Sequence, residues 1–230
     1  MTTHTKNYTR IANLDAGWLE LYAKHDNAEA VWSDEPPVFV SSIVAVLEPG
    51  QKVLELCCGD GRITKALVRS GASVTPSDIS VHALEQLQAT FKANGLAVPL
   101  PVVAPATNLP FPAESFDVVV SVDGICQIGE LRSALEETSR VLKPGGLFIA
   151  DVFTPDDAAW GQGEQVGPSS WAYKGTLFNF FTRNQFESIC SPFFTVKKVW
   201  ETRWNDPPHG DFRPQCHTHV ADVFFLTKSN

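Results

Sequence analysis

The sequence lacks the features that mark several large classes of protein. It has no long basic run, and its 230 residues have a formal net charge of −8. A nucleic-acid partner is therefore not expected, because neutralising a phosphate backbone requires clustered Lys and Arg. No apolar run approaches the roughly 20 residues needed to span a bilayer, and the N-terminus lacks the apolar segment of a signal peptide. We therefore expect no membrane partner and a cytoplasmic location.

Cysteine is scarce and does not follow the pattern of a disulfide framework. The five cysteines are odd in number and scattered, and none forms a Cys-x-x-Cys pair. Reduced thiols are the simpler interpretation. The sequence also has no internal repeat and no low-complexity segment. Since 43% of the residues are apolar and 19% are charged, a full core is feasible, and we predict one domain over residues 1–230.

Strand and helix patterns alternate through the middle of the chain. The apolar runs typical of strands lie at residues 52–56, 73–76, 100–103, 116–122 and 147–153. Helical patterns separate most of them, at residues 61–69, 80–91 and 131–142. Alternation at this spacing predicts an α/β protein with a doubly wound, Rossmann-like parallel sheet and right-handed crossovers.

The two ends of the chain differ from this middle part, residues 51–153. Residues 1–50 have helical periodicity over 11–32 and 38–47, and we predict an N-terminal helical cap. Residues 154–230 are interpreted as a substrate insertion and edge strands. Within them, 155–181 has no clear period, 182–190 is predicted to be a helix, and 193–204 and 217–227 are predicted to be an antiparallel strand pair at one sheet edge.

The turn after the first predicted strand is the strongest candidate for a ligand site. Residues 53–61, VLELCCGDG, read as a strand that leads through glycines into a helix, which places backbone N–H groups at the sheet edge. The third glycine of a dinucleotide fingerprint is absent, and Asp60 would repel a pyrophosphate. Glu55 could instead accept an ammonium group. Asp78, 23 positions later, could accept ribose hydroxyls or cap the helix that begins at Ser80.

Four segments in this order resemble the class I S-adenosylmethionine-dependent methyltransferases, in their small-molecule group. They are VLELCCGDG at 53–61, TPSDIS at 75–80, NLPFPAESFDVV at 108–119 and ETSRVLKPGGL at 137–147. The resemblance covers roughly residues 45–153. It implies a seven-stranded sheet whose last strand is antiparallel, and S-adenosylmethionine as cofactor. A nicotinamide oxidoreductase remains an alternative interpretation of the glycine turn alone.

The resemblance also implies a set of cofactor-binding residues. Glu55 and Gly59 would face the methionine part, Asp78 the ribose, and Ile79 the adenine. The full set is Glu55, Cys57, Gly59, Asp78, Ile79, Ala106, Thr107 and Val122. Two positions depart from the family pattern. Cys57 stands where glycine is usual, and Pro105 stands where an acid commonly bonds the adenine amine.

The methyl acceptor is less well defined by the sequence than the cofactor. Asp123 follows the fourth strand and could orient an acceptor or cap a turn, and His219 is a candidate base on the last strand. His217 and His219 could form a metal pair, but spacing fixes no third ligand, so no metal is predicted. His209, in a proline-rich loop, is expected to face solvent. The oligomeric state is left open.

Aromatic residues suggest where the acceptor would lie. They occur in the cap (Tyr8, Trp18, Tyr22 and Trp32) and in the insertion (Trp160, Trp171, Tyr173, Phe178, Phe180 and Phe181). Such side chains suit a flat or cationic small molecule, although each could equally be core packing. We predict methylation on N or O of a small acceptor, which can be heteroaromatic. The alternative is a non-catalytic S-adenosylmethionine-binding sensor or partner subunit.

Overall fold

A computed structural model describes residues 15–24, 35–97, 99–209 and 211–229. The helices are α1 (Ala16–Lys24), α2 (Val40–Val44), α3 (Thr64–Arg69), α4 (Val81–Ala93), α5 (Leu131–Val141) and α6 (Arg183–Cys190). A short 3-10 helix covers Ile125–Gln127. Two helix starts follow from the sequence. The Ser80 hydroxyl accepts the Ala83 N–H, and Thr182 with Gln185 forms a capping box.

The described residues contain ten strands, which form two sheets. They are β1 (Lys52–Leu56), β2 (Ser73–Asp78), β3 (Val102–Val103), β4 (Phe116–Ser121), β5 (Leu142–Phe153), β6 (Glu164–Gly167), β7 (Ser170–Tyr173), β8 (Thr176–Asn179), β9 (Phe194–Asp206) and β10 (His217–Lys228). The large sheet has the order β3-β2-β1-β4-β5-β10-β9, and β6-β7-β8 forms a small sheet. The predicted seven-stranded, Rossmann-like α/β fold is confirmed.

The strand directions place the turn after β1 at the centre of one sheet edge. β1 pairs in parallel with both β2 and β4, and Leu54 lies opposite Thr75 and Val119. The carboxyl ends of these three strands therefore meet at the same edge, beside the point where the strand order reverses. β10 runs antiparallel to β5 and to β9, so the predicted edge pair is also confirmed.

Strands buried on both faces form the core of the large sheet. In β4, residues 118–121 are all buried, and in β10 eight consecutive residues, 219–226, are buried. Helices cover these faces, which is why the sequence of β4 is a continuous apolar run rather than an alternating one. The core fixes the ends of the central strands, and those ends present the site.

The structure differs from the predicted elements in two places. The small sheet lies within residues 155–181, where no period was visible, because four-residue strands present only two side chains to each face. β5 begins at Leu142 and includes the Lys143–Gly146 segment that was predicted to separate α5 from the strand. Leu142 already pairs with Phe116, and the register shifts beyond that pair. The glycines therefore belong to a strand irregularity rather than to a break.

The predicted N-terminal helical cap is described only in part. α1 and α2 lie within the two predicted helical segments, whereas residues 1–14 and 25–34 lie outside the described residues. α1 packs closely on the small sheet, since a Cβ at Gly17 would lie 2.3 Å from the carbonyl carbon of Gly175. Within the described ranges, no helix is both long and apolar enough to cross a membrane.

Candidate functional site

The turn after β1 has an unusual backbone conformation that explains its glycines. Gly59 and Gly61 have φ of +53° and +88°, and Cys57 has φ of +55°. A side chain in this left-handed region is strained, typically by about 1–2 kcal/mol, which explains why glycine is favoured there. Gly124 leaves room for the cysteine, because a Cβ at Gly124 would lie 2.7 Å from the Cys57 Cβ. The turn and the loop after β4 are therefore fitted to each other.

Asp78, at the end of β2, ties this turn to the next strand. One carboxylate oxygen accepts the Gly59 N–H at 2.9 Å, and the other accepts the Ser80 N–H at 2.9 Å. Burial raises the pKa of the Asp78 carboxyl. Each oxygen retains a second lone pair, so Asp78 can hold the turn and accept further hydrogen bonds from a ligand. The two roles considered from the sequence are thus compatible.

Glu55 is a buried acid beside the same turn. Its side chain is 1% exposed, and its Oε2 atom makes no hydrogen bond to the residues that the structure describes. Burial, followed by the charges of Asp78 and Asp60, raises the pKa of Glu55 to about 8. A buried carboxyl with an unused oxygen is suited to a cationic group, which would remove the cost of its ionisation.

One cavity brings together all ten residues proposed for the site from the sequence. Its lining includes Glu55, Cys57, Gly59, Asp78, Ile79, Ala106, Thr107, Val122, Asp123 and His219. Pro105 lies there too. The first eight lie at or just after the carboxyl ends of β1, β2, β3 and β4. His219 comes from β10, which lies beyond β5 in the sheet. A molecule in this cavity could therefore contact both the glycine turn and the histidine.

His219 is held by a buried acid that the sequence reasoning did not single out. Its Nδ1 atom lies 2.9 Å from Oδ2 of Asp157, which is 3% exposed. Asp157 also accepts the N–H groups of Ala159 and Val220 at 2.8 Å each. The imidazole ring stacks on Phe153 at 5.0 Å. Asp157 thus fixes Nδ1–H as the donor, which directs the second ring nitrogen, Nε2, away from the acid.

The second nitrogen of His219 faces another histidine. Its Nε2 lies 3.0 Å from Nε2 of His217, whose Nδ1 bonds to the carbonyl oxygen of Gln215. Burial lowers the pKa of His217 to about 4, so this ring is neutral at physiological pH. With both Nδ1 atoms donating, two Nε2 lone pairs face each other. A hydrogen-bond donor supplied by a ligand would relieve this repulsion.

Asp123 lies beside a buried network of charges. Its backbone N–H donates to Asp151, and its carboxylate lies 3.9 Å from the Arg62 guanidinium. Burial raises the pKa of Asp123. Arg62 in turn bonds both carboxylate oxygens of Asp206, at 3.0 and 3.2 Å. This pair joins the start of the first crossover to the end of β9, 144 positions apart.

The same network supplies the third metal-type ligand that sequence spacing could not identify. Ligand atoms of Asp206, His217 and His219 lie within 4.8 Å of one another. Burial alone would raise the pKa of Asp206, but hydrogen bonds from the side chains of His209 and Arg62 hold this pKa well below its usual value. Because Arg62 already engages both Asp206 oxygens, we interpret the group as a proton and ion-pair network. The absence of a metal ion stays a prediction.

The acceptor side of the cavity is only partly what the aromatic pattern predicted. Trp18, Tyr22 and Phe178 line it, whereas Trp160, Trp171 and Phe180 pack on one another. Tyr8 and Trp32 lie outside the described residues. Phe153, Phe212 and Arg213 also line the cavity. The prediction that residues 160–181 form this wall was therefore too broad, because most of those rings are needed to cover the small sheet.

Sequence reasoning missed several residues and misplaced one. No sequence motif could identify Asp157, Arg62, Asp206 and Arg213. The first three act through partners that are distant in the chain, and Arg213 reaches the cavity only because its loop folds inward. The expectation that His209 faces solvent is wrong: it is 3% exposed and lies 3.5 Å from Asp206. The proline-rich loop folds over the cavity, and paired backbone hydrogen bonds between His209 and Arg213 hold it there.

Comparison with known proteins agrees with this geometry. Residues 54–150 match the family model described as a methyltransferase domain. An uncharacterized methyltransferase of Synechocystis is 38% identical over 119 residues, which are 48% of this chain and 51% of that protein. A demethylmenaquinone methyltransferase of Mycobacterium bovis is 39% identical over 112 residues, 48% of this chain and 44% of that protein. The chain thus spans about half the length of these relatives.

A solved structure extends the likeness to most of the fold. It is the 1,6-didemethyltoxoflavin-N1-methyltransferase of Burkholderia thailandensis, with S-adenosylhomocysteine bound. The TM-score is 0.66 at 19% identity, over 95% of this chain and 88% of that one. The matched domain contains the glycine turn and the ends of β1, β2 and β4, while the structural likeness includes the antiparallel strands. Residues 54–150 are therefore similar to a methyltransferase domain in sequence, and the chain shares the fold of this S-adenosylhomocysteine-bound methyltransferase.

Proposed function

We propose that this protein transfers a methyl group from S-adenosylmethionine to a nitrogen or oxygen atom of a small molecule. The observation that supports this most strongly is the single cavity that joins the glycine turn to the Asp157–His219 pair. The glycine turn is suited to bind a nucleoside with an amino-acid part, and the Asp157–His219 pair is suited to accept a proton. The relative whose name states N1 methylation of 1,6-didemethyltoxoflavin supports a small-molecule acceptor.

The residues around the turn fit S-adenosylmethionine. The unused oxygen of Glu55 is suited to the α-ammonium group, and the free lone pairs of Asp78 to the ribose hydroxyls. Ile79, Ala106 and Thr107 would lie against the adenine. Cys57, Gly59 and Val122 would border the methionine part. S-adenosylmethionine, when bound, supplies a methyl group already activated on a sulfonium, so positioning and exclusion of water are the main tasks of the protein.

Glu55 leads to a prediction about pH. In the protein without ligand its pKa is about 8, so at pH 6–7 it must lose a proton before it pairs with an ammonium group. Affinity for S-adenosylmethionine should therefore increase as pH rises towards 8. The dissociation constant should fall by up to about tenfold per pH unit. Calorimetry at several pH values, in buffers of different ionisation enthalpy, would measure both the affinity and the proton release.

The control for this prediction is Glu55→Gln. Glutamine keeps the shape of the side chain but has no proton to release in this range, so the variant should bind more weakly and lose most of the pH dependence. If the variant kept the slope of the wild type, another group would be responsible for the proton release. Asp78 and Asp123, two cavity acids whose pKa values burial also raises, would then be the first to test.

His219 is proposed as the base for the acceptor. When the acceptor atom attacks the methyl carbon, the electron pair of the broken carbon–sulfur bond stays on sulfur, and the acceptor loses a proton. Nε2 of His219 would take that proton, while Asp157 holds the ring and stabilises its charge. Asp123, beside Arg62, is proposed to orient the acceptor rather than to take the proton, because its lone pairs face a guanidinium.

The test of the proposed function has two stages. The first is calorimetry with S-adenosylmethionine and with NADH, where binding of the former alone is expected. The second is mass spectrometry of a panel of small phenols, N-heterocycles and aromatic acids incubated with the protein and cofactor, with and without a chelator. We expect methylated product from part of the panel, unaffected by chelation. Cofactor binding with no product across the panel would favour a non-catalytic sensor, and binding of NADH alone would contradict the proposal.

A further inference from the structure

Arg213 is a buried cation at the acceptor end of the cavity. It lies between β9 and β10 and is 6% exposed, although arginine is rarely buried unless it is paired. Its backbone is fixed, because His209 N–H donates to the Arg213 carbonyl at 2.7 Å and Arg213 N–H donates to the His209 carbonyl at 3.2 Å. The side chain is therefore presented to the cavity from an anchored loop.

The guanidinium has no anionic partner among the described residues. Its two terminal nitrogens, Nη1 and Nη2, are buried and make no hydrogen bond to any described residue. Of the acids near this region, Asp206 is engaged by Arg62 and Asp157 by His219, while Asp123 lies 3.9 Å from Arg62. Burial lowers the pKa of Arg213, yet a guanidinium stays charged at neutral pH. An unpaired buried charge is costly, and a ligand that supplied an anionic partner would relieve that cost.

The surroundings of Arg213 define the shape of that partner. The guanidinium lies 5.2 Å from the ring centre of Phe178 and 5.8 Å from that of Tyr173. Trp18 and Phe212 line the same end of the cavity, with ring centres 5.7 Å apart. Aromatic walls favour a flat molecule, and a guanidinium fork matches the two oxygens of a carboxylate. Among the described residues that line the cavity, Arg213 is a cation without an anionic partner and several acids lie near it, which favours a single negative charge over a phosphate dianion.

We propose that Arg213 binds the methyl acceptor, and that the acceptor is a flat aromatic or heteroaromatic molecule that carries a carboxylate. The inference rests on the proposed function and adds the substrate class to it. The carboxylate would pair with Nη1 and Nη2 of Arg213, and the ring would lie among Trp18, Phe178 and Phe212. The methyl-accepting atom would then project towards His219 and the cofactor turn, which line the same cavity.

Matched ligands that differ only in the carboxylate test this proposal. Salicylate with salicylamide, and picolinate with picolinamide, would be titrated against protein saturated with S-adenosylhomocysteine, by calorimetry and by tryptophan fluorescence. We expect the wild type to bind the acid of at least one pair tenfold or more tightly than the amide. Arg213→Gln should abolish that preference, and Arg213→Lys should retain part of it. Arg203→Gln, at an exposed arginine paired with Glu201, is the control and should behave as the wild type.

The outcomes separate this inference from its alternatives. No carboxylate preference in the wild type, or an unchanged preference in Arg213→Gln, would overturn it. A weaker affinity of Arg213→Gln for S-adenosylhomocysteine, with the preference retained, would assign the guanidinium to the methionine carboxylate of the cofactor and would also overturn it. If the protein preferred carboxylates but bound no S-adenosylhomocysteine, Arg213 would still be supported as an anion site. The proposed methyltransferase function would then be contradicted.

Discussion

Replacing His219 by glutamine is expected to lower kcat by about 100- to 10,000-fold, the usual contribution of a positioned general base. The physical reason is that the Asp157 carboxylate, 2.9 Å from Nδ1 of His219, orients the ring, so that Nε2 lies beside His217 at the wall of the cavity. Glutamine cannot accept a proton at neutral pH. The affinity for S-adenosylmethionine should change by less than about twofold, because the glycine turn is untouched. Steady-state rates with the best acceptor of the panel, and calorimetry with the cofactor, would measure the two effects.

Two further variants distinguish a base from a merely structural histidine. Asp157→Asn keeps the side-chain shape but removes the charge that orients the ring, so kcat should fall while the affinity for the acceptor is largely retained. His82→Gln, at an exposed position on α4, should leave the rate unchanged. A His219→Gln variant with more than a tenth of the wild-type kcat would show that the role assigned to this residue is wrong.

Replacing Asp78 by alanine is expected to weaken S-adenosylmethionine binding by about 30- to 1000-fold. Hydrogen bonds to a charged group contribute about 1.5–3 kcal/mol each, and Asp78 is proposed to accept from the ribose hydroxyls. The same carboxylate holds the N–H groups of Gly59 and Ser80 at 2.9 Å each. Its loss would therefore also loosen the turn. Calorimetry with S-adenosylmethionine and S-adenosylhomocysteine is the direct measurement.

Controls are needed because Asp78 has both a binding and a structural role. Asp78→Asn retains one acceptor oxygen and should give an intermediate affinity. Asp117→Asn is a matched control, since Asp117 also accepts a backbone N–H at a strand start, that of Lys52, but does not line the cavity. Thermal unfolding of each variant would identify a general loss of stability. Unchanged cofactor affinity in a folded Asp78→Ala protein would remove Asp78 from the ribose site.

The predictable part of the site is the part held by neighbours in the chain. The turn after β1 could be predicted because its conformation depends only on neighbouring residues. Its glycines adopt positive φ, and Glu55 lies near the end of the strand that precedes them. Ser80 and Thr182 could be predicted as helix caps for the same reason, since each bonds an N–H three residues later. The strand alternation then places the ends of the parallel strands at one edge of the sheet, which is why the residues proposed to bind the cofactor line one cavity.

The less predictable part depends on contacts between distant segments. The three short strands at 164–179 are stabilised by pairing with one another, so no local period identifies them. His209 was expected to face solvent because its neighbours are polar and proline-rich, yet the loop turns inward. The Asp157–His219 pair is separated by 62 positions and the Arg62–Asp206 pair by 144. Nothing in a single sequence relates such residues.

The amino-acid sequence by itself determined the fold class, the helix caps and the glycine turn proposed to bind the cofactor, because these follow from backbone geometry and from the alternation of apolar residues over short distances. The tertiary structure alone decided which residues line the end of the cavity that is proposed to hold the methyl acceptor. The antiparallel return of β10 brings His219 to Asp157, and the inward fold of the loop after β9 buries Arg213 without an anionic partner. Burial gives these groups their chemistry, since a charge or a lone pair removed from water needs a partner, and only the folded chain determines which partner is within reach.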